Sequence, residues 1–408
     1  MKINTRKLFI FFIIAAISFA IIGCNKNQET SSNERFEEKI SLYKNQNIKK
    51  DFEKHSLGVG PWEIIYCKDD KLIFNNYKYT IGYSTKKDME GIYSIIDLQN
   101  LGLHHVQGSI VSMLDISPKG KTLTGINIQC EEKIINIGPL HIINLITEDI
   151  SELNVGKKEK LIPIALNSRY YVLYCDTIMI VNIETNEIKD VNYTGDTIEN
   201  ILIQDNGDIF IQDTHSSIYL LSKKENYKEI KTELVGTLFD TIGDDLIWFN
   251  KGNIYKGNIL KHSKIKDIGT EWEFITCKNG RAIFASDSMP LVYDLKTNKI
   301  ASFNQVLSVS EFYAFPNSVS PDMDKYITNP WSKIQMFDYK GKEYDVNIKD
   351  YSKAHLKHNY YLNSNSLWLD NENLIYIAQK EDTGNLDGLM IVKYNIKTGE
   401  NIVLFEFK

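Results

Sequence analysis

Cys24 carries the clearest chemical assignment in this chain. It follows Ile21-Ile22-Gly23 at the end of an apolar run from Leu8 to Ile22, and Lys2, Arg6 and Lys7 stand ahead of that run. A thiol is a strong nucleophile, and the residue just before it is a glycine, the smallest there is. Basic residues, an apolar stretch and a small residue, in that order, are the pattern of an export signal. The run falls short of the roughly 20 residues that cross a bilayer core as a helix, which disfavours a permanent anchor helix. Other residues are weaker candidates. His355 and His358 (HLKH) stand at i, i+3 and could share a helix face toward a metal ion, yet no third ligand lies near them in sequence. Glu381 to Gly388 (EDTGNLDG) lacks the ordered ligands and terminal glutamate of a calcium loop and reads as a hairpin turn. Cys67, Cys130, Cys175 and Cys277 lie far apart inside apolar runs, as buried thiols do, rather than in a dense disulfide framework.

The segment Ile21-Ile22-Gly23-Cys24 resembles the lipobox of bacterial lipoproteins, with Ile21 where leucine is commoner. That resemblance implies a signal peptide over residues 1–23, a diacylated Cys24 as first residue of the mature chain, and a membrane partner engaged through that lipid on the extracytoplasmic face. Residues 24–57 would be the lipidated amino terminus and tether. Asn25 to Ser32 (NKNQETSS) is polar and aperiodic, as flexible linkers are. Phe36, Ile40 and Tyr43 recur at helical spacing in the charged stretch that follows.

The elements that would position any site come next. Over 408 residues the chain is 43% hydrophobic and 25% charged, which is globular composition and not disorder. Its formal charge is -6, and removing Lys2, Arg6 and Lys7 makes the remainder more acidic still. With no Lys/Arg cluster to neutralise phosphates, nucleic acid is excluded as a partner. From about residue 58 onward, short runs of Ile, Val, Tyr and Phe alternate with Asn, Asp, Gly and Lys turns, which predicts an all-β fold. WEIIYCKDDKLIF, Trp62 to Phe74, reappears as WEFITCKNGRAIF, Trp272 to Phe284. The offset is five steps of about 42 residues, the period of a four-stranded propeller blade.

A strand, a polar turn and another strand recur in YSIIDLQN ending at Asn100, HIINLITED at Asp149, IMIVNIETNEI at Ile188, SIYLLSKKENY at Tyr227, GNIYKGNIL at Leu260, LVYDLKTNKI at Ile300, IQMFDYKGKEY at Tyr344 and MIVKYNIKTGE at Glu400. Each is expected to be the third-to-fourth strand hairpin of one blade. Residues 58–408 then form a β-propeller of four-stranded blades, eight rather than seven. LDISPKGKTL, Leu114 to Leu123, resembles the SPDGK turn of TolB-type and prolyl-oligopeptidase-type propellers, themselves similar to WD repeats. Val319 to Ile327 (VSPDMDKYI), Ile203 to Phe210 (IQDNGDIF) and Leu369 to Ile377 (LDNENLIYI) are further versions. The resemblance implies a fold and no activity.

No GxSxG elbow, P-loop, GxGxxG or HExxH occurs, so no catalytic residues are assigned and no cofactor or metal is expected. Trp62, Trp272 and Trp368 fall near first strands, where they pack blades together or offer a stacking platform. The expected function is a membrane-anchored binding or scaffolding module, with an unknown protein or small ligand on one propeller face. The alternatives are a propeller hydrolase or lyase with a channel-centred site, and an envelope assembly factor. The recognition surface is expected on Asp350 to Ser364, which carries Tyr351, His355, His358, Tyr360 and Tyr361, with Tyr79 to Gly91 and Lys380 to Gly388 beside it on the same face.

Overall fold

The computed structural model describes residues 63–406 apart from 69, 76–78, 99–100, 104–109, 117–120, 132–133, 156, 159–161, 176, 279, 288, 305–317, 329–333, 345, 347–359, 363–365 and 381–389. Eight separate antiparallel sheets follow one another along the chain, each built from consecutive strands. They are the blades of a propeller, numbered I to VIII. The described strands span 63–97 in blade I, 110–158 in II, 162–191 in III, 198–235 in IV, 237–267 in V, 273–302 in VI, 325–344 in VII and 360–406 in VIII. The eightfold expectation holds and the sevenfold alternative is set aside.

In blades I, III, IV, V, VI and VIII the first strand is the innermost. Ile162–Leu166, Ile198–Ile203, Thr237–Ile242 and Glu273–Lys278 lie beside one another in succession, and Glu63–Lys68 meets Leu367–Trp368, the latter part of the first strand of blade VIII. That last contact closes the ring. Fourth strands such as His262–Asp267 (HSKIKD) and Lys228–Val235 (KEIKTELV) lie at the outer edge and are mostly exposed, and their lysines and glutamates keep that edge from pairing with another chain.

Second and third strands are apolar at nearly every position because both of their faces are buried. In Ile209–Asp213 (IFIQD), Ile209 and Ile211 pack toward blade III while Phe210 packs toward blade V. In Asp245–Asn250 (DLIWFN), Leu246 and Trp248 face blade IV while Ile247 and Phe249 face blade VI. The core is therefore a ring of apolar wedges, one between each adjacent pair of blades, including Phe74, Ile81, Ile375 and Ile391 between VIII and I.

The long repeat is a repeat of structure in detail. Cys67 pairs with Leu72 and Lys68 with Lys71, as Cys277 pairs with Ala282 and Lys278 with Arg281. Both first strands carry a bulge at the same place, between Ile64 and Tyr66 and between Phe274 and Thr276, and blades IV and V repeat it at Ile198/Asn200 and Leu238/Asp240. A bulge bends the strand where it turns in toward the axis.

Seven of the eight expected third-to-fourth hairpins lie where the sequence puts them. The exception is YSIIDLQN: blade I already has a third strand, Tyr79–Ser84, so Tyr93 to Asp97 belong to the fourth, Gly91–Asp97. Gly82 makes this arrangement work, since a Cβ there would stand 2.5 Å from the Tyr93 ring. The segment Tyr79 to Gly91 is thus no second-to-third loop. Its irregular part, residues 85–90, joins third to fourth strands, and Thr85 N donates to Asp70 O in the first-to-second turn at 2.8 Å. That places it on the face opposite the one expected.

Candidate functional site

One face of the ring carries the first-to-second turns, and these are knitted together. Asn167 Nδ2 of blade III donates to Gln204 O of blade IV at 3.1 Å, and Gln204 Nε2 donates to Asp244 O of blade V at 2.7 Å. Arg281 of blade VI donates to Val319 O and Ser320 O of blade VII at 2.6 and 2.9 Å, and Asp322 N donates to Asn371 Oδ1 of blade VIII at 2.8 Å. In VSPDMDKYI, Met323 holds the left-handed conformation (φ 65°) that Gly207 holds in IQDNGDIF (φ 91°). These turns are structural devices.

The inner strands use their bulges in the same way. Asn200 Nδ2 donates to Leu238 O at 2.7 Å, and the Cys277 thiol contacts Asp240 Oδ2 at 3.7 Å. Gln212 bridges Glu199 and Leu238 N at 2.6 and 2.8 Å. Burial raises the Asp240 carboxyl above its ordinary value. Burial also pushes Cys67 up to about 12, with Asp370 adding to it, and pushes Cys277 well up beside Asp240. Both are free thiols five blade steps apart, not bonded to each other, and thiols so disposed are poor nucleophiles.

The opposite face carries the second-to-third turns and the blade-to-blade connections. Here Asp213 ends the second strand of blade IV, His215 follows in its turn, and Asp196 lies in the connection from blade III. Thr214 N donates to Thr197 O at 3.0 Å, which ties the two loops together. The donor atoms of Asp196, Asp213 and His215 all lie within 4.8 Å of one another, with His215 Nδ1 3.3 Å from Asp196 Oδ2. Asp213 is 1% exposed and held from three sides. Its Oδ1 accepts the N–H of His215 and Ser217 at 2.9 and 2.8 Å, and Oδ2 accepts the Tyr219 hydroxyl at 3.2 Å. Tyr193 stacks edge-on against Tyr219 with ring centres 5.5 Å apart, and its buried hydroxyl has no hydrogen-bond partner. Desolvation raises the Tyr193 pKa well above that of an ordinary phenol, and Tyr219, Asp213, Glu229 and Asp196 add to the effect.

No protein-family model matches this chain, and no curated protein matches it. Solved structures do match at the level of fold. The β-propeller domain of the Trilobed protease from Pyrococcus furiosus is 12% identical with a TM-score of 0.39, over 86% of this chain and 99% of that one. The computationally designed Ika8 protein is 11% identical with a TM-score of 0.44, over 83% and 97%. Hsv2 from Kluyveromyces marxianus is 10% identical with a TM-score of 0.38, over 71% and 95%. Likeness at this distance is likeness of fold alone.

The residues expected to form a recognition surface are placed in part. Cys24, Tyr351, His355 and His358 lie outside the described residues, as do Trp62 and the EDTGNLDG segment. Tyr360 and Tyr361 are not loop residues. They lie in a short strand, Tyr360–Leu362, paired with Lys380 and Gln379, that begins the first strand of blade VIII. The connection from blade VII is shorter than expected because this pairing absorbs its end. Trp368 is buried, and its Nε1 donates to Ser318 O next to blade VII at 2.7 Å, so it packs blades together. Asp196, Asp213 and His215 were not among the residues expected to form a site. They share no recognisable spacing, because two connections bring them together.

Proposed function

We propose that this protein is a lipid-anchored extracytoplasmic binding or scaffolding module, tethered to the membrane through Cys24 and meeting its ligand on the face of second-to-third turns and blade-to-blade connections. The observation that carries the anchoring is Ile21-Ile22-Gly23-Cys24 at the end of the apolar run. An eight-bladed ring suits the second part of the reading, since its walls are rigid and its loops are free to vary. The first face spends its polar groups on joining blades, and so do the inner-strand groups described above, which supports binding over channel-centred catalysis. On the proposed face stand the Asp196–His215 loops. Among the described residues no helix is long and apolar enough to cross a membrane.

Anchoring is tested by labelling expressing cells with a palmitate analogue and fractionating them. The wild type should be labelled and sediment with membranes. Cys24→Ala should lose the label and leave unprocessed precursor or another cleavage product. A Cys24→Ala chain that is still labelled would overturn the reading.

A further inference from the structure

We propose that Asp196, Asp213 and His215 form a binding site for a divalent first-row transition metal ion. The set lies on the proposed binding face, but the inference does not depend on lipid anchoring. Its donors are one imidazole nitrogen and two carboxylates, already within 4.8 Å of one another. An imidazole with carboxylates suits zinc, manganese or iron, whereas calcium and magnesium call for oxygen alone.

The set is built and not merely acidic. Asp213 is buried and oriented by two backbone N–H groups and the Tyr219 hydroxyl, as outer partners orient the ligands of metal sites. Those bonds occupy both lone-pair sites of Oδ1 and leave one on Oδ2 for an ion. His215 and Asp196 are open to solvent, which gives an ion a way in.

The Tyr193 hydroxyl is a second and independent observation. It is cut off from solvent, has neither donor nor acceptor partner, and sits among the Asp213, Asp196 and Glu229 charges. A buried polar atom left unpaired is costly, and each one in a native structure calls for a cause. Gly195 adjoins it so closely that a Cβ there would stand 2.2 Å from the hydroxyl oxygen. Thr194 next to it is fixed by Glu229 through both its N–H and its hydroxyl, at 2.7 and 3.0 Å. The loop thus holds a hydroxyl in place with nothing to bond, and water carried by a bound ion supplies the missing partner.

The test uses the full chain, purified in mild detergent without an affinity tag, stripped with chelator and titrated calorimetrically with zinc chloride. One ion per chain is expected. His215→Ala and Asp196→Asn should each weaken uptake about tenfold or more, a loss of the size that removing a partner of a metal site causes. Both side chains are exposed, so neither variant should lose its fold, and an unchanged thermal transition without metal checks this. His262→Ala, which removes an exposed histidine from the outer strand of blade V, should keep the full uptake. Absence of saturable zinc uptake by the wild type would overturn the site, and so would uptake unchanged in both His215→Ala and Asp196→Asn.

Discussion

His141 lies on the third strand of blade II, facing blade I, with 4% of its surface exposed and Nδ1 without a hydrogen-bond partner. Desolvation lowers its pKa below the ordinary 6.5, against an opposing pull from Glu152. The unfolded chain therefore takes up a proton that the folded chain refuses, so this group makes stability fall as pH drops below about 6.5. The denaturant midpoint should decline from pH 7.5 to pH 5, and His141→Phe should flatten that decline. An equal decline in the variant would assign the acid sensitivity elsewhere. At this scale little was legible in advance. Cys24 invites a specific reading because its neighbours in sequence supply its context. His141 and Asp213 have no such context, since the groups that define them come from other strands and loops.

Turns decide how neighbouring strands meet, and two glycines separate the local from the tertiary part of that role. Gly399, in the third-to-fourth turn of blade VIII, has φ 69° with open space around it. Gly252, in the second-to-third turn of blade V, has φ 78°, and a Cβ there would stand 2.6 Å from the Gly269 backbone of the next connection. Gly399→Ala should cost only the left-handed strain, about 1 kcal/mol. Gly252→Ala adds a backbone collision and should cost roughly 3 kcal/mol or more. Urea unfolding of the two variants checks the difference, and equal costs would contradict the close approach. Hairpins were the most legible elements because their signal is local: WEIIYCKDDKLIF announces its own turn. The same locality misled the reading of YSIIDLQN, which has the composition of a third strand. Only its pairing with Tyr79–Ser84 reveals it as the fourth. The strand at Tyr360–Leu362 was hidden for a similar reason, since its partner is the far end of Asn373–Lys380.

The whole molecule depends on a ring in which, among the described residues, blades I and VIII are each built from their own consecutive strands. Closure between blades VIII and I rests on side chains: the wedge containing Phe74 and Ile391, the Tyr83 hydroxyl donating to Leu404 O at 3.0 Å, and the Cys67 thiol near Trp368 O. The number of blades was legible because period and hairpin count agree, whereas the distribution of chemistry between the two faces was not. Face assignment depends on strand order within each blade, and one miscounted strand in blade I moved residues 85–90 to the other side. Such a ring can present a binding face at a membrane only if something holds it there, and Cys24 is the attachment we propose. The most direct test is the intact mass of the wild-type protein from its native membrane. The expected chain begins at Cys24, lacks residues 1–23 and carries diacylglycerol on the Cys24 sulfur; a chain retaining residues 1–23, or one beginning at Cys24 without acyl chains, would contradict lipid anchoring.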